Sequence, residues 1–74
     1  MKICAPFAGI VRYHVAPGQM VATGDVLATV EAVKLEAPVA APGPGTIGKL
    51  GTDDFADVVG GDELLTLEAG EERP

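Results

Sequence analysis

Apolar residues in this chain come in short runs, each broken within a few positions by glycine, proline or a charge. KICA (2–5), IVRYHV (10–15), MV (20–21), VLATVEA (26–32), LEAPV (35–39), TIGKL (46–50), VV (58–59) and ELLTLE (63–68) read as strands. The segments between them, such as APG, ATG, APGPG and GGD, carry residues that punctuate turns. Two stretches also have a helical reading. DVLATVEAVKLEA sets Val26, Val30, Val33 and Ala37 at helical spacing, and DELLTLEA consists largely of tolerable helix formers. Periodicity alone does not separate helix from strand here.

An internal repeat favours strands. A shift of 36 positions lays Ala5, Pro6, Gly9 and Val11 on Ala41, Pro42, Gly45 and Ile47. A shift of 37 lays Gly24, Asp25, Leu27, Thr29, Glu31 and Ala32 on Gly61, Asp62, Leu64, Thr66, Glu68 and Ala69. The second half therefore holds one extra residue, expected in the loop GTDDFAD. Neither half is long enough to bury an apolar face alone, so the two should pack together about an approximate two-fold axis. The expected fold is all-β: a flattened β-sandwich of two four-stranded antiparallel sheets, with apolar residues on one face of each strand and Thr, Glu or Arg on the other.

Between the two copies lies the run Glu31, Ala32, Val33, Lys34, Leu35, Glu36, and the second copy has no lysine in the corresponding place. If 26–32 and 35–39 are both strands, the chain reverses at Val33-Lys34. Two-residue hairpins normally use Asn, Asp or Gly, because their central residues take positive φ. Val33 and Lys34 there predict a strained backbone, costing about 1–3 kcal/mol, of the kind found where a side chain is held in a fixed pose. The functional reading is that Lys34 is displayed for modification. The plain alternatives are a solvated surface lysine and a duplication that serves folding alone.

Composition narrows the field. With 74 residues, the chain forms one small domain, too short for most enzymes, with a thin core. Its single cysteine, Cys4, forms no disulfide within the chain, and with the single histidine, His14, it supplies too few ligands for a structural zinc site. The formal charge is −6, with five basic residues against eleven acidic ones, and Phe7, Tyr13 and Phe55 are the only aromatics. Nucleic acid is accordingly a poor partner. The uncharged stretch 37–48 is interrupted by three prolines and three glycines and does not read as a membrane span. MKICAPFAGIV meets Pro6 before any run long enough for a signal peptide, and with a lone thiol a cytoplasmic location is expected.

Eight acidic residues follow position 52, and they read either as a solubilising face with a frayed end or as a surface that steers the chain toward a basic partner. Residues 1–70 are expected to form the domain and 71–74 a short acidic tail. Cys4 and His14 lack a third orienting group for nucleophilic chemistry. Met20 is expected in the core, Phe55 over the second loop. APGPG is followed by no GK[ST] and does not read as a phosphate cradle.

Taken together, AP-x-x-G-x-V, V-x-x-G-x-x-V-x-x-G-D-x-L, EAVKLE and P-x-x-G-x-I resemble the biotinyl domain of biotin carboxyl carrier proteins, within the biotinyl/lipoyl superfamily, whose fold is a barrel-sandwich hybrid. The likeness runs over residues 2–69. In that family the target reads EAMKM or EAMKL and its lysine receives biotin in amide linkage. The resemblance therefore implies that Lys34 carries biotin, with Glu31, Ala32, Val33, Leu35 and Glu36 as the context that a biotin protein ligase reads. Val33 departs from the usual Met, which puts the efficiency of modification or transfer in question. The stretch Val11–Gly24 has no room for the protruding thumb of some bacterial carriers, and no Pro/Ala linker precedes the domain, which then looks like the whole subunit.

The resemblance further implies a non-catalytic carrier subunit of a multi-subunit biotin-dependent carboxylase, most simply an acyl-CoA carboxylase of fatty acid metabolism. Its partners would be the ligase, a biotin carboxylase and a carboxyltransferase, with the tether raising the ring's effective concentration at both active sites. The neutral ε-amine of Lys34 would attack biotinyl-adenylate, and the ligase must help remove its proton. Glu31 and Glu36 are then recognition or solubility residues rather than bases. Two relatives remain as alternatives: a lipoyl carrier of a 2-oxo acid dehydrogenase type system, whose target is typically DKA, and an unmodified interaction module of the same fold.

Overall fold

The computed structural model describes residues 1–69, so the expected 71–74 tail lies outside the described residues. The strands in chain order are β1 (Lys2–Cys4), β2 (Gly9–Tyr13), β3 (Met20–Val21), β4 (Val26–Glu31), β5 (Glu36–Ala40), β6 (Gly45–Leu50), β7 (Asp57–Val58) and β8 (Glu63–Ala69). They form two four-stranded sheets, ordered β1-β8-β6-β3 and β5-β4-β2-β7, with every pairing antiparallel. The architecture is the expected flattened β-sandwich. Neither stretch with a helical reading is a helix: DVLATVEAVKLEA holds β4, a turn and the start of β5, and DELLTLEA holds β8, with β4 and β8 each paired along both edges inside a sheet. In β4, Leu27, Ala28 and Val30 are all fully buried.

The core has two lobes that repeat one another. Val11, Ala28, Val30 and Val58 of one sheet pack with Ala5, and Ile47, Leu65, Leu67 and Val21 of the other pack with Ala41. These are the residues that the repeat superposes. Each lobe also takes one leucine from the opposite sheet: Leu64 of β8 joins the first and Leu27 of β4 joins the second. Neither half could complete its core without the other, and this exchange is what closes the sandwich. Tyr13 packs against both lobes; its hydroxyl donates to the Leu64 carbonyl at 2.6 Å and lies 2.9 Å from Thr52 Oγ1.

The repeated GD pair has a turn-building role. Gly24 and Gly61 take φ of 89° and 91°, a region open to glycine and costly for other residues. Beside them, the Asp25 and Asp62 carboxylates accept from the Ala22 and Val59 N–H groups at 2.8 and 2.9 Å. The Gly24 and Gly61 N–H groups donate to Ala41 and Ala5 carbonyls at 2.9 and 2.8 Å, which ties each turn to the other half.

Three expectations are corrected. The extra residue of the second half lies in β6, not in the loop GTDDFAD. Opposite β8, Ile47 pairs with Leu67 and Leu50 with Leu65, so three steps on β6 face two on β8, whereas Val11 to Tyr13 pair with Val30 to Ala28 without a break. This is a β-bulge, and the Lys49 N–H that it frees donates to Thr66 Oγ1 at 2.8 Å. Met20 is not in the core: it is 81% exposed, because two-residue β3 turns only Val21 inward. The repeat places Met20 on Asp57, itself an outward position.

Phe55 does not cover the second loop. It is 65% exposed and adopts φ 65°, the only positive φ outside glycine among the described residues. It occupies the position that Gly18, φ 88°, holds in the first half. Each donates its N–H to the other half's strand, Phe55 to Val11 at 2.7 Å and Gly18 to Ile47 at 2.7 Å. The backbone thus follows the repeat even where the residue does not suit the conformation.

Candidate functional site

The β4–β5 hairpin is built by continuous pairing of Thr29 with Pro38, Val30 with Ala37 and Glu31 with Glu36. One further hydrogen bond, from the Ala32 N–H to the Leu35 carbonyl at 2.8 Å, closes the ladder and leaves Val33 and Lys34 as the two-residue tip. Val33 is 98% exposed and Leu35 60% exposed, and Lys34 also stands in solvent. Among the described residues Lys34 makes no salt bridge or side-chain hydrogen bond. The six residues named from the sequence are therefore together, Val33 and Lys34 at the tip, Ala32 and Leu35 closing the ladder beneath it, and Glu31 and Glu36 at its base.

The strain expected at the tip is absent, since neither Val33 nor Lys34 has positive φ. A turn with both central residues in the ordinary region needs no Asn or Gly. The flanking strands are already held in register by their places in the sheet, so the tip itself need not enforce their twist. Lys34 is presented by projection and exposure rather than by backbone strain.

Glu31 and Glu36 also have a partner within the fold. Ala32 and Leu35 form the hydrogen-bonded pair, so Glu31 and Glu36 occupy the adjoining closely spaced pair, where like charges repel. Arg12 of β2 bridges them, its Nη2 lying 2.9 Å from Glu31 Oε2 and 3.1 Å from Glu36 Oε2. Val11 is buried, so its neighbour Arg12 lies on the outer face with Glu31 and Glu36, and its long side chain crosses β4 to reach β5. Among the described residues the buried Nε atom of Arg12 has no hydrogen-bond partner. On the same face His14 Nε2 lies 2.8 Å from Thr29 Oγ1, whereas Cys4 is in β1 of the other sheet.

Arg12 was not singled out from the sequence. It sits 19 positions before Glu31, and the available signal was its outward place in a strand destined to pair with the target strand. The acidic residues after position 52 are partly structural too: Asp54 accepts the Tyr13 N–H at 2.9 Å, Asp62 caps its turn, and Glu63 lies 4.0 Å from Lys2. Beside the tip is a shallow, mostly apolar depression of about 410 Å³, lined by residues including Ile10, Ala32, Val33 and Val58. Among the described residues no group of His, Cys, Asp or Glu is arranged to hold a metal, and no helix is long and apolar enough to cross a membrane.

A family model described as "Biotin-requiring enzyme", the Biotin_lipoyl domain, matches residues 1–67. The chain belongs to the biotin/lipoyl attachment family. Members of this family are carrier domains, not catalysts, and hold biotin or lipoate covalently on a lysine. The fold is shared with a single-chain, multi-domain long-chain acyl-CoA carboxylase, at 25% identity and a TM-score of 0.88 over 97% of this chain and 7% of that one. It is shared also with an aspartoacylase family protein of Mesorhizobium loti, at 18% identity and a TM-score of 0.84 over 97% of this chain and 24% of that one. The second likeness is one of fold alone. This biotin/lipoyl domain thus spans a small part of either neighbour. No curated protein sequence matches it.

Proposed function

We propose that Lys34 is the attachment lysine, that its cofactor is biotin, and that the chain acts as the biotin carboxyl carrier of a multi-subunit acyl-CoA carboxylase in the cytoplasm. The observation that carries this reading is Lys34 itself: an exposed amine on a two-residue tip, with no partner among the described residues. Such an amine fits a covalently attached group, because acylation there removes no contact that the fold uses. Val33 and Leu35 give it apolar flanks, which suit a biotinyl target better than the Asp and small residue typical of lipoyl targets. The family match and the likeness to an acyl-CoA carboxylase support the same assignment.

Attached biotin would carry a carboxyl group between a biotin carboxylase and a carboxyltransferase. The chain's own contribution is mechanical. A rigid hairpin fixes the root of the tether, and the narrow tip can enter a partner's cleft without unfolding the ladder beneath it. Residues 1–70 are the body that docks transiently with each enzyme, and Ala32, Val33 and Leu35 are the residues a biotin protein ligase meets beside Lys34.

Intact mass after co-expression with a biotin protein ligase or with a lipoyl ligase tests this reading. The expected result is a biotinyl increment that disappears in Lys34→Arg. A lipoyl increment instead would transfer the chain to the 2-oxo acid dehydrogenase type of carrier. An unmodified mass with both ligases would leave an interaction module and overturn the attachment site.

A further inference from the structure

We infer that Arg12 is a positioning residue for Lys34: it holds Glu31 and Glu36 on one guanidinium nitrogen, which keeps the hairpin base closed and withholds both carboxylates from the lysine. The inference rests on Lys34 being the modified residue.

Three observations support it. Glu31 and Glu36 face each other in the last closely spaced pair before the tip, the place where like charges approach most nearly and where the ladder has least support beyond it. Arg12 reaches both oxygens within 3.1 Å from the neighbouring strand β2, which lies outside the hairpin, so it ties the hairpin base to the body of the sheet. Lys34, two residues from Glu36 and three from Glu31, is bonded to neither carboxylate. Without the guanidinium the nearest cation to those carboxylates along the hairpin is the Lys34 ammonium. Two carboxylates released at the base would both push the strands apart and offer the lysine an ion pair that ties it back to the hairpin. Arg12 removes both effects at once.

Arginine suits this role better than lysine, because the N–H groups of Nη2 point in fixed directions in the guanidinium plane, whereas an ammonium is a rotating point charge on a flexible stem. The charges of the hairpin and its clamp also sum to zero, with Arg12 and Lys34 against Glu31 and Glu36.

The test compares Arg12→Met, which keeps an apolar stem, with Arg12→Lys and with the double variant Arg12→Met/Glu36→Gln. Amide hydrogen exchange by NMR is read at Ala32 and at core Leu65 in the same samples, and the rate of Lys34 biotinylation by a biotin protein ligase is read in parallel. In Arg12→Met, exchange at Ala32 should quicken by about three- to tenfold relative to Leu65, the range for a partly exposed charge network. Biotinylation should slow by a similar factor. The double variant should recover most of the loss in both readouts, because one carboxylate no longer repels the other, and Arg12→Lys should fall between. A general loss of packing would quicken Ala32 and Leu65 alike and would not be rescued by Glu36→Gln; that pattern overturns the inference, as does unchanged exchange at Ala32. If the wild-type chain takes no biotin or lipoate, the attachment proposal fails, and the exchange data alone decide whether Arg12 holds the hairpin closed.

Discussion

Removing one oxygen atom, in Tyr13→Phe, tests how the two halves are held together. The Tyr13 hydroxyl donates to the carbonyl oxygen of fully buried Leu64 at 2.6 Å and meets Thr52 Oγ1 at 2.9 Å, bridging β2 to β8 and to the loop after β6. The ring packs against both core lobes and is retained in phenylalanine, so the substitution removes hydrogen bonds and little else. The Leu64 carbonyl also accepts the Gly51 N–H at 2.7 Å and is not orphaned by the change, while Thr52 is half-buried and can turn to water. The full penalty of a stranded buried acceptor therefore does not apply, and the expected loss is about 1–2 kcal/mol for the two bonds. For a domain of this size each kcal/mol lowers the melting midpoint by roughly 4–8 °C. Urea unfolding followed by circular dichroism should show a lower midpoint with an unchanged slope, since the surface exposed on unfolding stays the same. Thr52→Val should be costly in the wild type and nearly silent in Tyr13→Phe. Equal costs of Thr52→Val in both backgrounds, or a loss under about 0.3 kcal/mol for Tyr13→Phe, would refute the bridge.

Leu27→Ala should lower stability by about 2–5 kcal/mol in urea unfolding, enough to leave much of so small a domain unfolded, because Leu27 is the residue β4 contributes to the other sheet's lobe. Gly45→Ala should cost roughly 1–3 kcal/mol in the same assay, since a Cβ there would collide with the Glu68 carbonyl across the β6–β8 pairing. Phe55→Gly should raise stability by up to about 1 kcal/mol, the relief of a left-handed residue less the greater chain entropy of glycine, and a drop in the midpoint would show that the exposed ring is held by contacts. Val33→Met should leave the melting temperature within error, Val33 being 98% exposed, while changing the rate at which a biotin protein ligase modifies Lys34.

The chain wrote much of this fold openly because it wrote it twice. The matches Ala5/Ala41, Gly24/Gly61 and Leu27/Leu64 told of a duplicated unit, turn chemistry at GD, and strands where helical spacing was also present. EAVKLE marked the candidate hairpin because it interrupts that repetition with a lysine. These features are local: a glycine that needs positive φ, or an apolar run broken by turn residues, carries its physical reason within a few positions.

Other features depended on which strands lie side by side. Register against β8 turned an extra residue that suited a loop into a bulge at Gly48-Lys49. Burial of Val21 set Met20 outside, and the half-to-half hydrogen bonds held Phe55 in the conformation of Gly18. The sheet order put Arg12 over Glu31 and Glu36, residues far from it along the chain, and its supported strands let Val33 and Lys34 turn without left-handed backbone. Sequence by itself determined the duplicated all-β design and the lysine at its centre. Tertiary structure decided what steadies that lysine, because a charge on one strand acts on a hairpin only once pairing brings the two to within a hydrogen bond.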